Sequence, residues 1–421
     1  MKNLKKTTTL CFLFLFWFLG NAQEKPIKKE SFDIINLNYK GLEKVNSLFN
    51  AANYDEAARE LLTYYRNRRT VKHPDFNAGD ENRFRGKEIG KANQEKADNA
   101  LEHKFQPQKG YDFYDYGKDI NWEYWPVKDN EVRWQLHRVT WWLPMGMAYR
   151  SSRDEKYAKE WILQFRDWEK KNYLGSSKEN DSFAWRPLEV SDRVQSLPPT
   201  FNLFVNSPNF TPAFLMEFLN SYNKQAAYIP EHYSKEGNHL LFEAQRILGA
   251  GAFFPELKQA EAWRKSGIEI LNREIKLQVL PDGIQWELSP IYHVACIDIF
   301  LKGYNSAKMA GVEKEFPDTY SKTIEQMILA SASMMFPNYN NPMFGDSWLV
   351  EKESRLKQFK IWSKVFPENA QIKYFATDGA EGKQPDYLSN ALPNGGFYTF
   401  RNGWNDQSTA MIVKAGPPAE F

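Results

Sequence analysis

Apolar residues recur three and four positions apart along most of the chain, which is the spacing of helices that bury one face. The first clear case opens with Asp55 and Glu56, and acidic residues are favoured in a first helical turn. Asp, Ser, Asn or Pro stands near several later starts, as helix capping requires. The pattern predicts helices over residues 54–68, 130–150, 155–170, 187–205, 212–228, 239–254, 257–278, 290–310 and 320–336.

The connections between these segments are short and rich in Pro, Gly and Asn, and no fixed sequence period relates them. The missing period disfavours a short-repeat solenoid. Many helices of similar length with short connections pack most economically as antiparallel pairs. The predicted fold is therefore mainly α, as an α/α bundle or toroid.

The pattern changes near residue 391. Residues 395–400 and 409–414 alternate as strands do, and a polar turn joins them. An isolated hairpin is marginal in water, and its exposed edge is a liability. We therefore expect residues 391–421 to be the first strands of an antiparallel β-sandwich domain whose remainder is absent, and residues 24–390 to form the helical domain. The alternative is a hairpin that packs on the helices as a terminal flap.

The first 23 residues have the layout of a secretory signal: a basic start, an apolar run over residues 10–19 and a small-residue site at Gly20-Asn21-Ala22. The alternative, a retained membrane anchor, is weaker because the apolar run is short for a bilayer. Export to the periplasm follows from a signal peptide. The mature chain then holds one thiol, Cys296, so no disulfide can form within it.

Charge and composition narrow the partners. The chain has 55 basic and 53 acidic residues, so neither nucleic acid nor a membrane surface is an expected partner. Aromatic residues make up 15% of it, including 14 Trp, which suits stacking on sugar rings, although large helical cores also use aromatics. No zinc, phosphate-loop, nucleophile-elbow or dinucleotide motif is present, and we expect neither a metal nor a cofactor.

Three segments carry the strongest candidate chemistry, residues 236–239, 285–293 and 344–348, because they combine polar and ionisable side chains with aromatics and helix breakers. Tyr292 and His293 follow a Ser-Pro helix start. The phenol of Tyr292 could transfer protons if a cation or a hydrogen-bond donor lies near it. The structural alternative is that the ring of Tyr292 is packed in the core. Asn238 and His239 follow Gly237; Asn238 could donate to a carboxylate or simply cap the helix. Gln245, two turns after Asn238, would face the same way.

Further candidates for substrate binding lie in the segment 344–348 and in two other mixed clusters, residues 125–134 and 185–189. Arg133 and Arg186 could hold a sulfate or carboxylate by forked hydrogen bonds. Trp125 could stack on a sugar, and Asp346 could pin the site from a loop. Each of these residues also has a structural alternative, as a buried ring or a surface ion pair. The remaining members of the predicted substrate-binding set are Glu189, Gln245 and His293.

At these residues the chain resembles the heparinase II/III family of polysaccharide lyases. The similar stretches are residues 116–122, 125–134, 185–199, 237–239, 287–293 and 344–348, so the resemblance covers essentially the whole mature chain. It implies an α/α toroid, an incomplete barrel of antiparallel helix pairs, followed by a β-sandwich. It further implies cleavage of heparan sulfate or a related acidic glycosaminoglycan by metal-independent β-elimination at the hexuronate. We expect a monomer.

The resemblance also implies roles. Tyr292 corresponds to the family's base and acid, and Asn238 to the amide that neutralises the uronate carboxylate, with His239 beside it. A further catalytic His is expected shortly after a Pro-Pro-x-Glu-Phe stretch, which here is residues 417–421. Two other readings stay open: a glycoside hydrolase using two carboxylates among Glu189, Glu287 and Asp346, or a non-catalytic glycan-binding protein.

Overall fold

The computed structural model describes residues 26–416. The predicted signal peptide and residues 417–421 lie outside this range. Within it the α-helices are α1 Glu43–Asn50, α2 Tyr54–Asn67, α3 Glu81–Phe84, α4 Lys91–Ala100, α5 Asn130–Leu136, α6 Trp142–Ser152, α7 Glu155–Lys171, α8 Lys178–Ala184, α9 Pro187–Phe204, α10 Pro212–Glu231, α11 Gly237–Phe253, α12 Ala260–Gln278, α13 Pro290–Met309, α14 Asp318–Ser333, α15 Lys352–Val365 and α16 Ala370–Ala376. The strands are β1 Lys104–Phe105, β2 Tyr114–Asp115, β3 Ser389–Leu392, β4 Phe397–Arg401 and β5 Ala410–Lys414.

The helices pair antiparallel, and two glycines show how closely. A Cβ at Gly251 of α11 would lie 2.1 Å from the carbonyl oxygen of Ala260, and one at Gly267 of α12 would lie 2.4 Å from that of Ala244. Only glycine allows the two helices to approach this closely, and the pairing makes them antiparallel. In turn α13 lies antiparallel to α12, with Gly303 against Leu271. Helices α11 and α13 therefore run in the same direction.

Helix α9 shares that direction. The Tyr222 hydroxyl of α10 donates to the carbonyl of Val194 at 3.2 Å, and Arg193 Nε donates to Gln225 at 2.7 Å. These contacts on either side of the loop 205–211 make α9 and α10 antiparallel, and a short connection returns the chain to α11. Helices α9, α11 and α13 consequently begin at the same end of the molecule, which we call the open end. The mainly α prediction of antiparallel helix pairs is confirmed.

The single helix predicted over residues 130–150 is wrong, because the structure has two helices there. Val139, between α5 and α6, has a left-handed backbone with φ of 48°. Pro144 gives the physical reason: a continuous helix would need its missing N–H to bond the carbonyl of Thr140. In the first turn of α6 that N–H is not required. The hydrophobic period did not reveal this break, but Pro144 could have.

The last three strands form an antiparallel sheet in the order β3-β4-β5, of which β3 was not predicted. One face packs on the helices: Phe397 lies in a buried cluster with Ile284 and Met334, and Arg401 donates to the carbonyl of Ser333 at 2.7 Å. The other face exposes large apolar side chains, Phe400, Met411 and Val413.

Residues 26–416 contain neither a membrane-spanning helix nor a cluster of metal ligands. None of the helices there is long and apolar enough to cross a membrane. No group of three or more His, Cys, Asp and Glu side chains there could hold a metal ion. Cys296 is buried, which raises the pKa of its thiol to about 12 and leaves it unreactive.

Candidate functional site

Three helix N-termini meet at the open end. Arg186 precedes the first residue of α9, Asn238 and His239 lie in the first turn of α11, and Tyr292 lies in the first turn of α13. The first N–H groups of a helix have no partner within it, and the helix dipole is positive at this end. The open end therefore suits a negatively charged ligand.

Asn238 is not a helix cap. The cap position of α11 belongs to Glu236, whose side chain makes no capping bond, and Gly237 turns the chain into the helix with φ of +78°. Asn238 is the second helical residue; its side chain is exposed and its amide has no hydrogen bond to residues 26–416. The structure thus removes the capping alternative and leaves a free amide at the helix N-terminus.

His239 lies beside Asn238 in a positive environment. Partial burial lowers the pKa of its imidazole, and the charges of Arg186, Arg138 and Arg246 lower it further, while Glu189 raises it. Burial and these arginines therefore favour the neutral imidazole in the free protein. An anion bound among these arginines would offset their charge and raise the pKa of His239 again.

The start of α13 is strained and then fixed by a loop. Leu288 has a left-handed backbone with φ of 55°, which costs a non-glycine residue about 1 kcal/mol or more. The Ser347 hydroxyl lies 3.0 Å from that of Ser289 and accepts the Ile291 N–H at 3.3 Å. The half-buried Tyr292 follows, and its hydroxyl has no hydrogen bond within the described chain.

His293 has a different position from its neighbour. Its ring is 1% exposed; Nδ1 accepts the Gln285 N–H at 3.2 Å and Nε2 donates to the carbonyl of Met327 at 2.9 Å. Burial lowers its pKa to about 4. Neither ring nitrogen is free for a substrate, so the predicted substrate contact does not fit this geometry. His293 instead ties the segment before α13 to α14.

Asp346 is exposed on the loop that contacts the start of α13, one residue before Ser347. The nearby Trp348 is exposed as well and borders a cavity of about 460 Å³ between α13 and α15. That cavity is lined by aliphatic residues such as Ile291 and Ile361 together with polar ones such as Gln358, and Tyr292 does not line it. Asp346 therefore lies near the start of the Tyr292 helix, whereas the cavity is a separate feature.

Arg186 and Glu189 belong to a chain of five alternating charges, which we call the arginine ladder: Arg186, Glu189, Arg138, Asp192 and Arg246. Glu189 accepts both Arg186 (2.5 and 3.0 Å) and Arg138 (2.8 Å). Asp192 pairs with Arg138 at 3.2 Å and with Arg246 at 2.8 Å. Glu189 is fully buried, so it anchors two guanidinium groups and cannot itself contact a glycan, contrary to the prediction.

Trp125 and Arg133 lie in a stack of rings and guanidinium groups. Arg133 is 4.0 Å from the ring of Phe183 and 5.4 Å from that of Trp125, and it also pairs with Glu179. Arg133 is buried, so its predicted contact with a substrate does not fit, whereas Trp125 is 41% exposed. The stack ends where Arg186 lies 3.9 Å from the ring of Trp134. It therefore joins an exposed indole to the ladder.

Gln245 lies below the open end. Its side chain is buried against α13, where a Cβ at Gly303 would be 3.8 Å from its Cγ, and its Oε1 has no hydrogen-bond partner in the described chain. This position does not support the predicted contact with a substrate. Sequence reasoning also missed Arg138 and Asp192. Asp192 had a signal, since residues 186, 189 and 192 recur every third position, but Arg138 had none.

Comparison with known proteins gives a consistent result. A family model described as "Heparinase II/III N-terminus" matches residues 31–374. The chain is 60% identical to a heparin-sulfate lyase of Pedobacter heparinus over 95% of its own length, and 52% identical to one of Bacteroides stercoris over 97%. It covers 61% and 63% of these relatives.

A solved structure agrees in fold. The crystal structure of a heparan sulfate lyase from Pedobacter heparinus superposes with a TM-score of 0.85 at 60% identity, over 94% of this chain and 62% of that one. The chain thus spans about three fifths of the length of the proteins that it matches.

Proposed function

Because the chain belongs to the heparinase II/III family, we propose that it provides the helical part of a heparan sulfate lyase. The reaction would be β-elimination at a hexuronate, which removes the C5 proton, breaks the bond from C4 to its glycosidic oxygen and leaves an unsaturated uronate. The proposal concerns an acidic glycosaminoglycan as substrate and requires no metal.

The observation that carries this proposal is the pair of unpartnered polar groups at the open end. The Asn238 amide and the Tyr292 hydroxyl have no hydrogen bond within the described chain, although the helices that carry them are well packed. Both lie in first helical turns at the same end, where the helix dipoles favour an anion. Both groups can therefore bind a ligand without first breaking a hydrogen bond to residues 26–416.

Each residue would act at a definite atom. The Asn238 amide would donate to the uronate carboxylate and so stabilise the negative charge that develops when C5 loses its proton. Tyr292, acting as the phenolate, would take that proton and return it to the departing oxygen on the same side of the ring. His239 would support the carboxylate once the bound anion has raised its pKa, which burial and the surrounding arginines lower in the free protein.

The proposal also covers where the protein acts and whether it is a monomer. The signal-like residues 1–23 would direct export to the periplasm, where a monomer would act on glycosaminoglycan fragments. Cell fractionation and light scattering test these two points, and a cytoplasmic precursor or a stable oligomer would contradict them.

The test is ultraviolet absorbance of the unsaturated uronate during incubation with heparan sulfate. We would compare this chain with an extended chain, in which the remaining C-terminal part of the Pedobacter relative follows residue 421. Absorbance from either form supports the lyase, and absorbance from the extended form alone indicates that the reaction needs a group from that part. New reducing ends without absorbance would instead indicate hydrolysis, and no product from either form would reject an enzyme.

A further inference from the structure

The arginine ladder has an excess of positive charge. Three guanidinium groups face two carboxylates, Glu189 and Asp192, so the five members of the ladder carry a net charge of +1. The nearby carboxyl of Glu243 also acts on Arg246, and burial raises the pKa of that carboxyl. None of its members is more than about a quarter exposed. A partly buried excess charge interacts with an incoming anion more strongly than a charge in open water would.

The carboxylates hold the guanidinium groups in fixed orientations. Glu189 receives a fork of two hydrogen bonds from Arg186 and a third bond from Arg138. Ser191 holds Arg246 from the other side, at 2.9 Å. An arginine side chain held in this way loses little conformational freedom when it binds an anion, so its affinity is higher than that of a free side chain.

The ladder also has unused donors. The Nε–H groups of Arg138 and Arg246 are buried and have no hydrogen-bond partner in the described chain, although Arg138 Nε lies 3.2 Å from Asp192. Arg246 is 7% exposed. Buried arginines elsewhere in residues 26–416, such as Arg193 and Arg355, also have such donors, so the donors of the ladder are distinguished by their position beside the open end.

The position of the ladder relates it to the open end. Arg246 lies seven residues after His239 on α11, which is two turns below on the same face. Arg186 precedes α9, and the charges of Arg186, Arg138 and Arg246 all act on His239. The ladder is therefore a second positive site next to Asn238.

We propose that the arginine ladder binds a sulfate or carboxylate of the glycan on a sugar next to the one that reacts, with Arg138 as the residue that sets this preference. The inference rests on the proposed glycan substrate. Arg138 is central because its guanidinium lies between Glu189 and Asp192 and links both halves of the ladder. It would act in binding and would not touch the reacting atoms.

The experiment measures calorimetric affinity of the chain for two oligosaccharides of equal length, one with uronate carboxylates only and one that also carries sulfates. Arg138→Gln is the main variant. Arg186→Gln is the second variant, because Arg186 is more exposed than Arg138. Arg264→Gln is the control. Arg264 lies on α12, outside the ladder, and makes a forked pair with Glu315. Circular dichroism verifies that each variant is folded.

We expect Arg138→Gln to weaken binding by about tenfold or more, since it removes a charge-assisted contact, with no change for Arg264→Gln. An equal loss for both oligosaccharides identifies a carboxylate as the ligand, and a larger loss for the sulfated one identifies a sulfate. If Arg138→Gln does not fold, Arg186→Gln must show the same loss. Wild-type affinity in every folded ladder variant overturns the inference.

Binding and turnover separate the two proposals. A ladder variant that binds weakly, in a protein whose wild type never forms an unsaturated product, supports the ladder and rejects the lyase. The opposite result is a ladder variant of the extended chain that forms product normally with the KM of the wild type. It would reject the proposed role of the ladder in binding and leave the proposed lyase activity intact.

Discussion

The open end and the helical body use the same residue types in opposite ways. In the body, the Tyr320 hydroxyl donates to the carbonyl of Phe300 at 3.2 Å, and Asn369 caps α16 by accepting the Ile372 N–H at 2.9 Å. At the open end, the Tyr292 hydroxyl and the Asn238 amide have no such partner in the described chain. Tyr320 and Asn369 therefore help to hold the fold together, whereas Tyr292 and Asn238 remain available.

The difference also separates stability from activity. Removing a polar group that has a buried partner leaves that partner unpaired and costs about 1–3 kcal/mol. Removing a group that has no partner costs the fold little. Substitutions at the open end should therefore change turnover while the melting temperature stays constant, and matched substitutions in the body should do the reverse.

The largest effect is expected for Tyr292→Phe. The change removes only the hydroxyl, so the proton transfer should be lost and turnover of heparan sulfate should fall about 10³-fold or more. The melting temperature should not change, because the hydroxyl has no hydrogen bond within residues 26–416. Absorbance of the unsaturated uronate and thermal unfolding measure the two quantities.

Tyr304→Phe is the matched control for this variant. Tyr304 lies on the same helix, three turns beyond Tyr292, and is half-buried. We expect Tyr304→Phe, which also loses a hydroxyl, to turn over heparan sulfate at the wild-type rate. Near-normal turnover in Tyr292→Phe would remove Tyr292 from the mechanism and with it the distinction between the two regions.

Asn238→Ala should have the next largest effect. Loss of the amide weakens the stabilisation of the carboxylate, and turnover should fall about 10²-fold. Unfolding by denaturant should give a wild-type free energy, since Asn238 is not a cap. The same change at Asn369, which is a cap, should lower the free energy of unfolding by about 1 kcal/mol and leave turnover alone. The reverse result would make Asn238 structural.

Most of the fold could be predicted because hydrophobic spacing repeats over long helices. The predicted helices starting at Pro187 and Pro290 match α9 and α13 to within a residue, because proline at the first helical position marks the start. Short helices such as α8 and α16 were missed, since seven residues hold too few turns for a period to appear. The strand β3 was missed because its apolar side chains do not alternate over enough residues.

The site could be predicted in part. Residue type and helix start identified Tyr292 and Asn238 as candidates, and the structure leaves both available. The pattern could not separate Tyr292 from His293, since adjacent residues on a helix point about 100° apart and only packing decides which is buried. Arg138 was missed because its two carboxylate partners lie more than fifty residues away in the sequence.

The pH dependence of the free energy of unfolding tests whether His293 belongs to the helical body. Burial lowers its pKa to about 4 from an ordinary value of about 6.5, so the fold favours the neutral ring. Its stabilising effect is complete above pH 6.5 and decreases as the pH falls toward 4. Between pH 6.5 and 5 this one group should lower the free energy of unfolding by about 2 kcal/mol. Chemical denaturation across this range measures the slope.

His293→Gln should reduce that slope, because Gln does not titrate. The buried His73 and His137, whose pKa values are also lowered by burial, should keep the rest of the acid sensitivity. An unchanged slope in His293→Gln would mean that its ring is accessible to protons, and the assignment of His293 to the body would be wrong.

The smallest effect is expected at the boundary between the two regions. Ser347 accepts the Ile291 N–H, one residue before Tyr292, so it fixes the first turn of α13 from the loop. Ser347→Ala removes a neutral hydrogen bond worth about 1 kcal/mol, and we expect kcat to fall about fivefold while KM stays constant. Ser363→Ala on α15 serves as the control. A rise in KM alone would show that the loop contacts the glycan directly, and the boundary would then belong to the open end.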